Sequence, residues 1–394
     1  MMTTTWPMVT LDNAIRQRKE FIEINDLETY KRCRVQLHAQ GIVLRDTAVG
    51  AEIKTKRQQV CRAGEFLVAE IDAKVGGFGI VPDELEGAIV SSHYFLFAID
   101  DSLLDRGFLN YFIRTPAFRD QVSAQGSTNY AAIRPDDVLD YEIPLPPLDE
   151  QLRLVARIEE LAAKIEEARG LRRLAVEEAE ALKSAILGRA YDEAIRVAGG
   201  VERLDNLCRT ITDGTHVTPT YVPEGIPFLS VKDITTGHIR FDNTKFITLE
   251  EHEMLTKRCK PERDDVLLTK VGTTGFAKAI DIDREFSIFV SLALLKLDKT
   301  RLDPKFTEYM LNSPRLREHS DAGTRGVGNQ NLVLKFIRDF PMPTPPLDEQ
   351  RRIVAYLDGP QAKVDALKAL QAQTQAELDA LLPSVLDRAF KGEL

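Results

Sequence analysis

Cysteine and histidine, which build most metal sites, are scarce in this sequence. Its 394 residues include six histidines and four cysteines, and Cys33, Cys61, Cys208 and Cys259 stand far apart without a C-x-x-C pair. Isolated cysteines of this kind argue against a zinc site, a redox motif and a network of disulfides. We therefore expect four reduced thiols and no bound metal.

Long apolar runs are also absent. No stretch of the chain approaches the roughly 18 apolar residues that a membrane-spanning helix needs. Residues 1–6 have neither a basic start nor an apolar core, so they do not resemble a secretory signal. With 43% apolar and 29% charged residues, the composition is typical of a folded protein, and we expect a cytoplasmic one.

The chain lacks the basic excess that supplies most of the affinity for nucleic-acid phosphates. Its net charge is −9, from 52 basic and 61 acidic residues. Residues 1–146 carry 16 basic and 21 acidic residues, and residues 199–345 carry 21 of each. A nucleic-acid-binding role would therefore depend on partner subunits for much of the grip on phosphate.

Catalytic motifs are missing as well. We find neither an N-P-P-Y-like methyltransferase loop nor a G-x-G-x-x-G cofactor turn. Glu52-Ile53-Lys54 matches only the E-x-K part of a nuclease site, and the 270–275 turn lacks the G-K-[ST] of a phosphate loop. We expect a protein without catalytic residues.

What the sequence does contain is a repeat that spans most of the chain. Pro147-Leu148-Asp149-Glu150-Gln151 recurs as Pro346-Leu347-Asp348-Glu349-Gln350, an offset of 199 residues. The same offset holds without gaps through the segments that follow both motifs, and looser matches continue upstream. Repeats of this kind indicate duplicated structural units.

The segments after both motifs have the 3–4 spacing of coiled-coil helices. We expect the two helices to pack antiparallel, although each could instead pack on its own domain. Asp358-Gly359-Pro360 predicts a break between a short helix from Leu347 and a long helix from about Pro360. The predicted seam positions are Val364, Leu367, Gln371, Thr374, Leu378, Leu381 and Val385, with counterparts Ile165, Ala168, Arg172, Ala175, Ala179, Leu182 and Ile186.

Between the helical segments, strand-like runs alternate with shorter helical ones. Strands are predicted at 66–71, 88–99, 228–234, 266–271 and 286–297, and helices at 104–122 and from Pro304 to about 317. The fold class is therefore α/β, with two mixed α/β domains and two long antiparallel helices in a pseudo-twofold repeat. The predicted boundaries are 1–146 (first domain), 147–198 (central helix), 199–345 (second domain) and 346–394 (C-terminal helix).

Several motifs together identify a family. Both repeats carry P-P-L-D-E-Q before an apolar helix, and residues 388–394 read R-A-F-K-G-E-L. The second domain adds Asp213-Gly214-Thr215-His216 and the segments 225–234 and 265–275, whereas the first lacks the Asp-Gly-Thr-His loop. Over its full length the chain resembles specificity subunits of type I restriction–modification systems, and its second domain is similar to one class of their target recognition domains.

The resemblance implies a non-catalytic protein whose two domains each read half of a split target in double-stranded DNA. The helices would set the gap between the halves and dock two modification (methyltransferase) subunits, and restriction/translocase subunits are further expected partners. The chain itself would hold no cofactor, because S-adenosylmethionine, ATP and Mg would belong to those partners. The expected docking residues are Leu148, Glu150, Gln151, Leu347, Glu349 and Gln350.

Base reading in the major groove pairs Arg or Lys with guanine and Asn or Gln with adenine. The glycine-rich loop at 323–331 offers such side chains, although a flexible surface loop is the alternative. A plain turn at 270–275 and a polar turn at His216 are open in the same way. The second-domain candidates for DNA contact are Thr215, His216, Lys232, Lys270, Thr273, Thr274, Arg325, Asn329, Gln330 and Asn331.

The first domain offers fewer candidates. The charged segment at 54–59 suits contact with the DNA backbone, although a solvated charged face explains it equally well. The loop at 125–130 corresponds to the glycine-rich loop of the second domain. The first-domain candidates are Lys54, Lys56, Arg57, Gln58, Asn129 and Arg134. A coiled-coil scaffold or adaptor without DNA specificity is the rival interpretation, but it does not explain the duplicated, glycine-punctuated domains.

Overall fold

The computed structural model describes residues 6–124, 132–235, 237–325 and 331–394. They divide into two units, one formed by the chain up to Leu171 together with Gln373–Leu394, the other by Arg172–Ala372. Each unit thus combines one globular domain with parts of both long helical segments. The four-segment division stays a prediction.

The first domain contains two sheets of short strands and one further pair of strands. One sheet has the order β2-β10-β7-β8, another the order β3-β6-β9-β4-β5, and β1 pairs with β11. Helix α4 follows the domain and continues through the unit boundary. The elements are β1 (Met8–Thr10), β2 (Ile15–Arg18), β3 (Phe21–Glu23), β4 (Thr29–Val35), β5 (Ile42–Val49), β6 (Arg57–Val60), β7 (Phe66–Ala69), β8 (Phe78–Ile80), β9 (Ile89–Val90), β10 (Tyr94–Ile99), α1 (Arg106–Phe112), α2 (Pro116–Ala124), α3 (Pro135–Leu139), β11 (Glu142–Pro144) and α4 (Leu148–Ala198).

The second domain repeats part of this plan. Its sheet β13-β19-β16-β17 has the pairing order of β2-β10-β7-β8, and β12 pairs with β22 as β1 does with β11. The other large sheet differs, with three strands in the order β15-β14-β18. The elements are β12 (Val201–Arg203), β13 (Cys208–Asp213), β14 (Ile226–Leu229), β15 (Lys245–Ile247), α5 (Leu249–Thr256), β16 (Val266–Thr269), β17 (Ala277–Ala279), β18 (Ser287–Ile288), β19 (Leu292–Leu297), α6 (Pro304–Leu311), α7 (Pro314–Gly323), β20 (Thr324–Arg325), β21 (Asn331–Leu332), α8 (Leu334–Arg338), β22 (Pro341–Pro343), α9 (Leu347–Gln373) and α10 (Gln375–Lys391).

Central strands are apolar throughout because both of their faces are covered. Successive side chains on a strand point to opposite faces. In β16, Val266 and Leu268 enter the core shared with the long helices, while Leu267 enters a second core on the other face. In β7, Phe66 and Leu67 are divided between two cores in the same way. Continuous apolar runs therefore predict doubly covered strands here.

The predicted strands at 66–71 and 266–271 are confirmed as β7 and β16. Three predicted elements are each divided into two in the structure: 88–99 contains β9 and β10, 286–297 contains β18 and β19, and 104–122 contains α1 and α2. The predicted helix from Pro304 likewise stops at Leu311 and restarts at Pro314. Both helix breaks lie just before a proline, which cannot donate its amide to a preceding turn and starts a new helix instead.

The long helices are antiparallel within each unit. In the first unit, Arg153 near the start of α4 donates to the carbonyl of Leu394 at 2.8 Å, and Arg169 pairs with Asp379 at 3.1 Å. In the second unit, Glu180 of α4 pairs with Lys368 of α9. The predicted mixed α/β class with long antiparallel helices is thereby confirmed.

Burial along the helices follows the 199-residue offset. Leu154 and Ile158 of α4 are buried, and so are their counterparts Ile353 and Leu357 of α9. Tyr191 and its counterpart Phe390 are both buried, each in the core of the unit to which it belongs. The two copies therefore use the same helix face to cover a globular domain.

Arg172 and Gln371 are themselves repeat counterparts, and they bond to each other. Arg172 donates to the carbonyl of Gln371 at 2.6 Å, and the amide nitrogen of Gln371 donates to the carbonyl of Arg172 at 2.9 Å. A polar contact in a helix seam fixes register, because any shift leaves its groups unpaired.

One helix prediction is wrong. Helix α9 runs from Leu347 to Gln373 through Pro360, so Asp358 does not begin a helix; its carboxylate instead accepts from the hydroxyl of Tyr309 at 2.6 Å. The predicted seam holds at most of its positions: Ile165, Val364 and Leu378 are buried and the others are half-buried, except Leu182 and Leu381, which are 63% and 45% exposed.

Among the described residues, no helix combines the length and the apolar character required to span a bilayer.

Candidate nucleic-acid interface

The best-defined polar site lies at one edge of the sheet β13-β19-β16-β17. Strands β13 and β16 both pair antiparallel with β19, so their carboxyl ends meet at the same edge. Asp213 ends β13 and Lys270 follows β16, and the Lys270 Nζ lies 2.5 Å from Asp213 Oδ2 with both side chains buried. Burial alone raises the pKa of Asp213, but the hydrogen bond and charge of Lys270, with those of His216, bring it below its usual value.

Asp213 also fixes the loop that follows it. His216 Nε2 lies 3.3 Å from the Asp213 carboxylate, and its ring is exposed. Arg258 donates to the carbonyls of Asp213 and Gly214 at 2.8 and 2.6 Å. A Cβ on Gly214 would lie 2.1 Å from the carbonyl oxygen of Ile288, so glycine is required for this close approach. The loop therefore presents His216 on a rigid support.

The turn at 270–275 packs against the ends of the glycine-rich loop. The amide of Leu332 donates to the carbonyl of Lys270 at 2.8 Å, and Asn331 forms a β-bridge with Val271. The hydroxyls of Thr274 and Thr324 lie 3.1 Å apart. The structure thus brings together three segments that the sequence predicted separately.

The members of this site differ in exposure. His216, Thr273 and Asn331 are exposed, and Thr215 is half-buried. Lys270 and Thr274 are buried, so a ligand would reach them only if the cluster opened. Lys232 is exposed and donates to the carbonyl of Asn243 at 2.6 Å. Its neighbour Val231 bonds to Ser291, and so does Lys270, which connects the backbone beside Lys232 to the sheet edge.

Some predicted contacts cannot be placed. Asn129, Asn329 and Gln330 lie outside the described residues. The backbone of Arg325 is in β20, opposite Asn331. Predicted contacts by these residues stay predictions.

In the first domain the predicted residues lie along the start of β6. Lys54 and Arg57 are exposed, and the Arg57 guanidinium lies 4.3 Å from the ring centre of Phe21. Lys56 bonds to Asp26 and to the carbonyl of Gly50, and Gln58 is buried and donates to the carbonyl of Thr55 at 2.6 Å. Arg134 is exposed at the start of α3, and no described contact joins it to the other four.

Sequence reasoning missed a basic cleft of about 350 Å³ in this domain. Exposed Arg34 and Arg45 line it together with Lys54 and the buried Gln58. Arg32 lines it as well, but its guanidinium is engaged by both carboxylate oxygens of Asp46 at 2.6 and 2.8 Å. The signal was available, since Arg32 and Arg34 alternate along β4 and such alternation places both on one face of a strand.

The predicted docking residues fall into two classes. Gln151 and Gln350 are fully buried. Gln151 accepts from the amide of Asp105 at 2.8 Å and donates to the carbonyls of Leu103 and Pro146. Gln350 makes the same three bonds, to Asp303, Arg301 and Pro345. Each buried glutamine joins the start of its long helix to a domain. Because it is buried, it would affect a partner only indirectly, by positioning the exposed residues of that helix.

The other docking candidates retain exposed surface. Leu148 and Leu347 are half-buried. Glu150 and Glu349 are paired with Arg153 and Arg352 one turn along the same helix.

The described residues contain no group of three or more potential metal ligands. All four cysteines are free, and the Sγ atoms of Cys33 and Cys61 lie 3.6 Å apart in the first-domain core.

Comparison with known proteins gives consistent matches. A family profile described as the type I restriction modification DNA specificity domain matches residues 202–379. The EcoKI specificity subunit of Escherichia coli K12 is 22% identical over 75% of this chain and 67% of its own length. The EcoBI specificity subunit of Escherichia coli is 24% identical over 64% of this chain and 58% of its own length.

Two solved structures match almost the whole chain. One, from work on complex assembly and conformational transition of the type I R-M system, is 26% identical, with a TM-score of 0.75, and the match covers 99% of this chain and 98% of the other. The crystal structure of the HsdS subunit from Thermoanaerobacter tengcongensis is also 26% identical, with a TM-score of 0.57 and coverage of 99% and 97%.

Proposed function

Because the chain belongs to the family of specificity subunits of type I restriction–modification systems, we propose that each of its domains reads one half of a split sequence in double-stranded DNA. One observation carries this proposal: the two domains share a sheet order and a buried glutamine but differ in their second large sheet. A common framework with different reading surfaces is what two unlike half-sites require.

In the second domain, the proposed contacts are the exposed side chains of the sheet edge. Asn331 has the amide geometry that pairs with adenine, and Thr273 and His216 suit hydrogen bonds to bases or phosphates. Arg325, Asn329 and Gln330 belong to the same loop and complete the proposed reading set. In the first domain, Lys54, Arg34 and Arg45 around the basic cleft take the corresponding role, because arginine and lysine favour guanine and phosphate.

The helical pair is proposed to set the gap between the half-sites and to dock two modification subunits. The exposed faces around Leu148 and Glu150, and around Leu347 and Glu349, are the proposed docking surfaces, with the buried glutamines holding them in place. Restriction/translocase subunits would complete the assembly. Methyl transfer and ATP-dependent steps, with S-adenosylmethionine, ATP and Mg, are assigned to those partners, and this chain contributes recognition.

The test is methylome sequencing of cells that express this chain with its modification subunit. We expect one methylated motif consisting of two short halves and a spacer of fixed length. Expression of the modification subunit without this chain is the control. Methylation that shows no motif dependent on this chain would overturn the proposal.

Single substitutions test the assignment of domains to half-sites. We expect His216→Ala or Asn331→Ala to relax one half of the motif and Arg34→Ala to relax the other, each base contact being worth about 1–3 kcal/mol of discrimination. Arg263→Ala, which removes an exposed arginine paired with Asp283, is a control that should leave the motif intact. A substitution that relaxed both halves together would contradict the assignment.

A further inference from the structure

A pocket in the second domain adjoins the sheet edge that carries His216. Its volume is about 420 Å³, far more than the roughly 30 Å³ that one water molecule occupies. The loop with Gly214 and His216 forms one wall, and Met254 and Leu255 of α5 form another. We call it the α5 pocket. His216 and Met254 are both largely exposed, so the pocket is open to solvent.

Both walls of the α5 pocket are held by its buried residues. Ser287 and Ile288 of β18 line the pocket and are almost fully buried. His252 of α5 forms a hydrogen bond of 2.9 Å through Nδ1 with the hydroxyl of Ser287. Gly214 approaches the carbonyl oxygen of Ile288 so closely that a Cβ would lie 2.1 Å from it. Walls that are fixed in advance reduce the entropy that is lost when a ligand enters.

The polar side chains of the α5 pocket already have partners. The hydroxyl of Ser287 bonds to α5, and the hydroxyl of Thr215 lies 3.1 Å from both the amide and the carbonyl oxygen of the same neighbour in its loop. Arg258 donates to two carbonyls of that loop at 2.8 and 2.6 Å, and His216 pairs with the carboxylate at the end of β13. The remaining surface is apolar and is formed by Met254, Leu255 and Ile288.

The charges that line the pocket are compatible with a neighbouring polyanion. Among the described residues, no carboxylate lines it, whereas Arg258 does. Asp213, which Arg258 approaches at 3.4 Å, is already paired with the buried Lys270. The three glutamates of α5 lie outside the lining. A DNA strand at the sheet edge would therefore meet an apolar wall and a guanidinium rather than a carboxylate.

The occupant of the α5 pocket should therefore be an apolar group on the molecule that contacts His216. On the base edges of the major groove, that group is the C5 methyl of thymine. A base flipped out of the helix is a poorer match, because it needs free hydrogen-bonding groups for its Watson–Crick edge. The polar side chains here are already engaged.

We infer that the α5 pocket receives the C5 methyl group of a thymine in the half-site of the second domain. Met254 is the specificity-determining residue, because its flexible and polarisable side chain adapts to a methyl group. The inference rests on the proposed function, since it takes the sheet edge with His216 to face DNA.

The experiment uses the full chain, assembled with its modification subunit, and duplexes that contain its methylation motif. Asn331→Ala, which changes the sheet edge but not the lining of the pocket, identifies the half-site of the second domain. Each thymine of that half-site is then replaced singly by uracil, which pairs with adenine in the same way but lacks the methyl group. Burial of one methyl group predicts binding about fourfold weaker at one position.

Met254→Ala and Leu249→Ala are a matched pair of variants on α5. Met254 is 59% and Leu249 is 57% exposed, and of the two only Met254 lines the pocket. Neither substitution removes a buried side chain, so both variants should fold. We expect the preference for thymine over uracil to fall below about twofold in Met254→Ala and to stay at about fourfold in Leu249→Ala. An equal preference in both variants, or tolerance of uracil at every thymine, would overturn the inference.

Other results would reassign the pocket. If uracil had no effect but 5-methylcytosine in place of cytosine strengthened binding about fourfold, methylated cytosine would replace thymine as the source of the methyl group. Weaker assembly of Met254→Ala with the modification subunit, at unchanged thymine preference, would make the pocket a protein contact instead.

The inference and the proposed function fail in different ways. A complex that selects no motif from a pool of random duplexes would overturn the proposed function and this inference with it. A two-part motif in which no thymine contact depends on Met254 would overturn the inference alone.

Discussion

At the scale of single residues, the buried Asp213–Lys270 ion pair is expected to stabilise the sheet edge. It joins the ends of β13 and β16, and the loop with His216 is anchored on the same carboxylate. Removing one partner of a buried ion pair leaves an unpaired buried charge, which costs about 3–5 kcal/mol.

Lys270→Met is therefore expected to destabilise the second domain by about 3–5 kcal/mol. Urea unfolding and hydrogen exchange in β13 measure the change. Lys299→Met, which breaks the exposed pair with Asp264, should cost less than about 1 kcal/mol. A loss no larger than that of the control would show that the buried pair adds no stability.

The same pair makes stability depend on pH in a defined direction. The pKa of Asp213 is lower in the folded protein than in the unfolded chain, where it is about 3.9. Its contribution is therefore complete above the unfolded pKa and is lost as the pH falls through the folded one. The free-energy gap between wild type and Asp213→Asn should be constant from about pH 5 to 7 and should shrink below about pH 4. A gap that widened in acid would contradict this assignment.

Sequence alone identified which loops carry polar side chains but not which of those side chains are available. Lys270 and Thr274 were predicted as contacts, yet both are buried. The ion-pair partner of Lys270 lies 57 residues away, and only the pairing of β13 and β16 with β19 brings the two together. Local patterns contain no information about such a distant partner.

At the scale of elements, the buried glutamines explain why P-P-L-D-E-Q occurs twice. Each one bonds to a carbonyl and an amide just before a helix of its domain, and to a carbonyl just before its own long helix. Replacing it leaves several buried backbone groups unpaired, at a cost of about 1–3 kcal/mol each.

We expect Gln350→Ala to destabilise the second unit by about 3 kcal/mol or more and Gln151→Ala to affect the first unit equally. Hydrogen exchange resolved by peptide distinguishes the two units. Glu349→Ala, at the neighbouring position, removes an ion pair between a half-buried glutamate and the exposed Arg352; it is the matched control and should change little. If only one of the two substitutions destabilised its unit, the two glutamines would not contribute equally to stability.

Element type was easier to predict than element length. Apolar runs marked β7 and β16, but proline split two predicted helices and failed to split α9. The difference lies in tertiary packing: Ile353, Leu357 and Val364 are buried on both sides of Pro360, and their burial outweighs the helix-breaking tendency of that residue.

At the scale of the whole molecule, the first unit depends on the last part of the chain. Phe390 packs on Phe108 and Phe112 with ring centres 5.1 Å away in both cases, and Leu386 and Ala389 join the same core. No local pattern in residues 1–146 predicts this contribution.

Phe390→Ala is expected to destabilise the first unit by about 3–5 kcal/mol, the cost of removing a buried aromatic ring. Hydrogen exchange should rise in α1 and α2 and stay unchanged in β16 and β19. Leu381→Ala, at a largely exposed position of the same helix, should have little effect. Faster exchange in the second unit after Phe390→Ala would contradict the division into units.

Because the first unit combines two distant segments of the chain, it also affects the order in which the two units fold. Domains generally complete their folding in the order of synthesis, but here the core around Phe108 and Phe112 is complete only when residues 386–390 have left the ribosome. Arg172–Ala372 contains all the parts of its own unit and can fold earlier. The first unit is therefore completed after the second, and until then the rings of Phe108 and Phe112 lack the cover that Phe390 gives them.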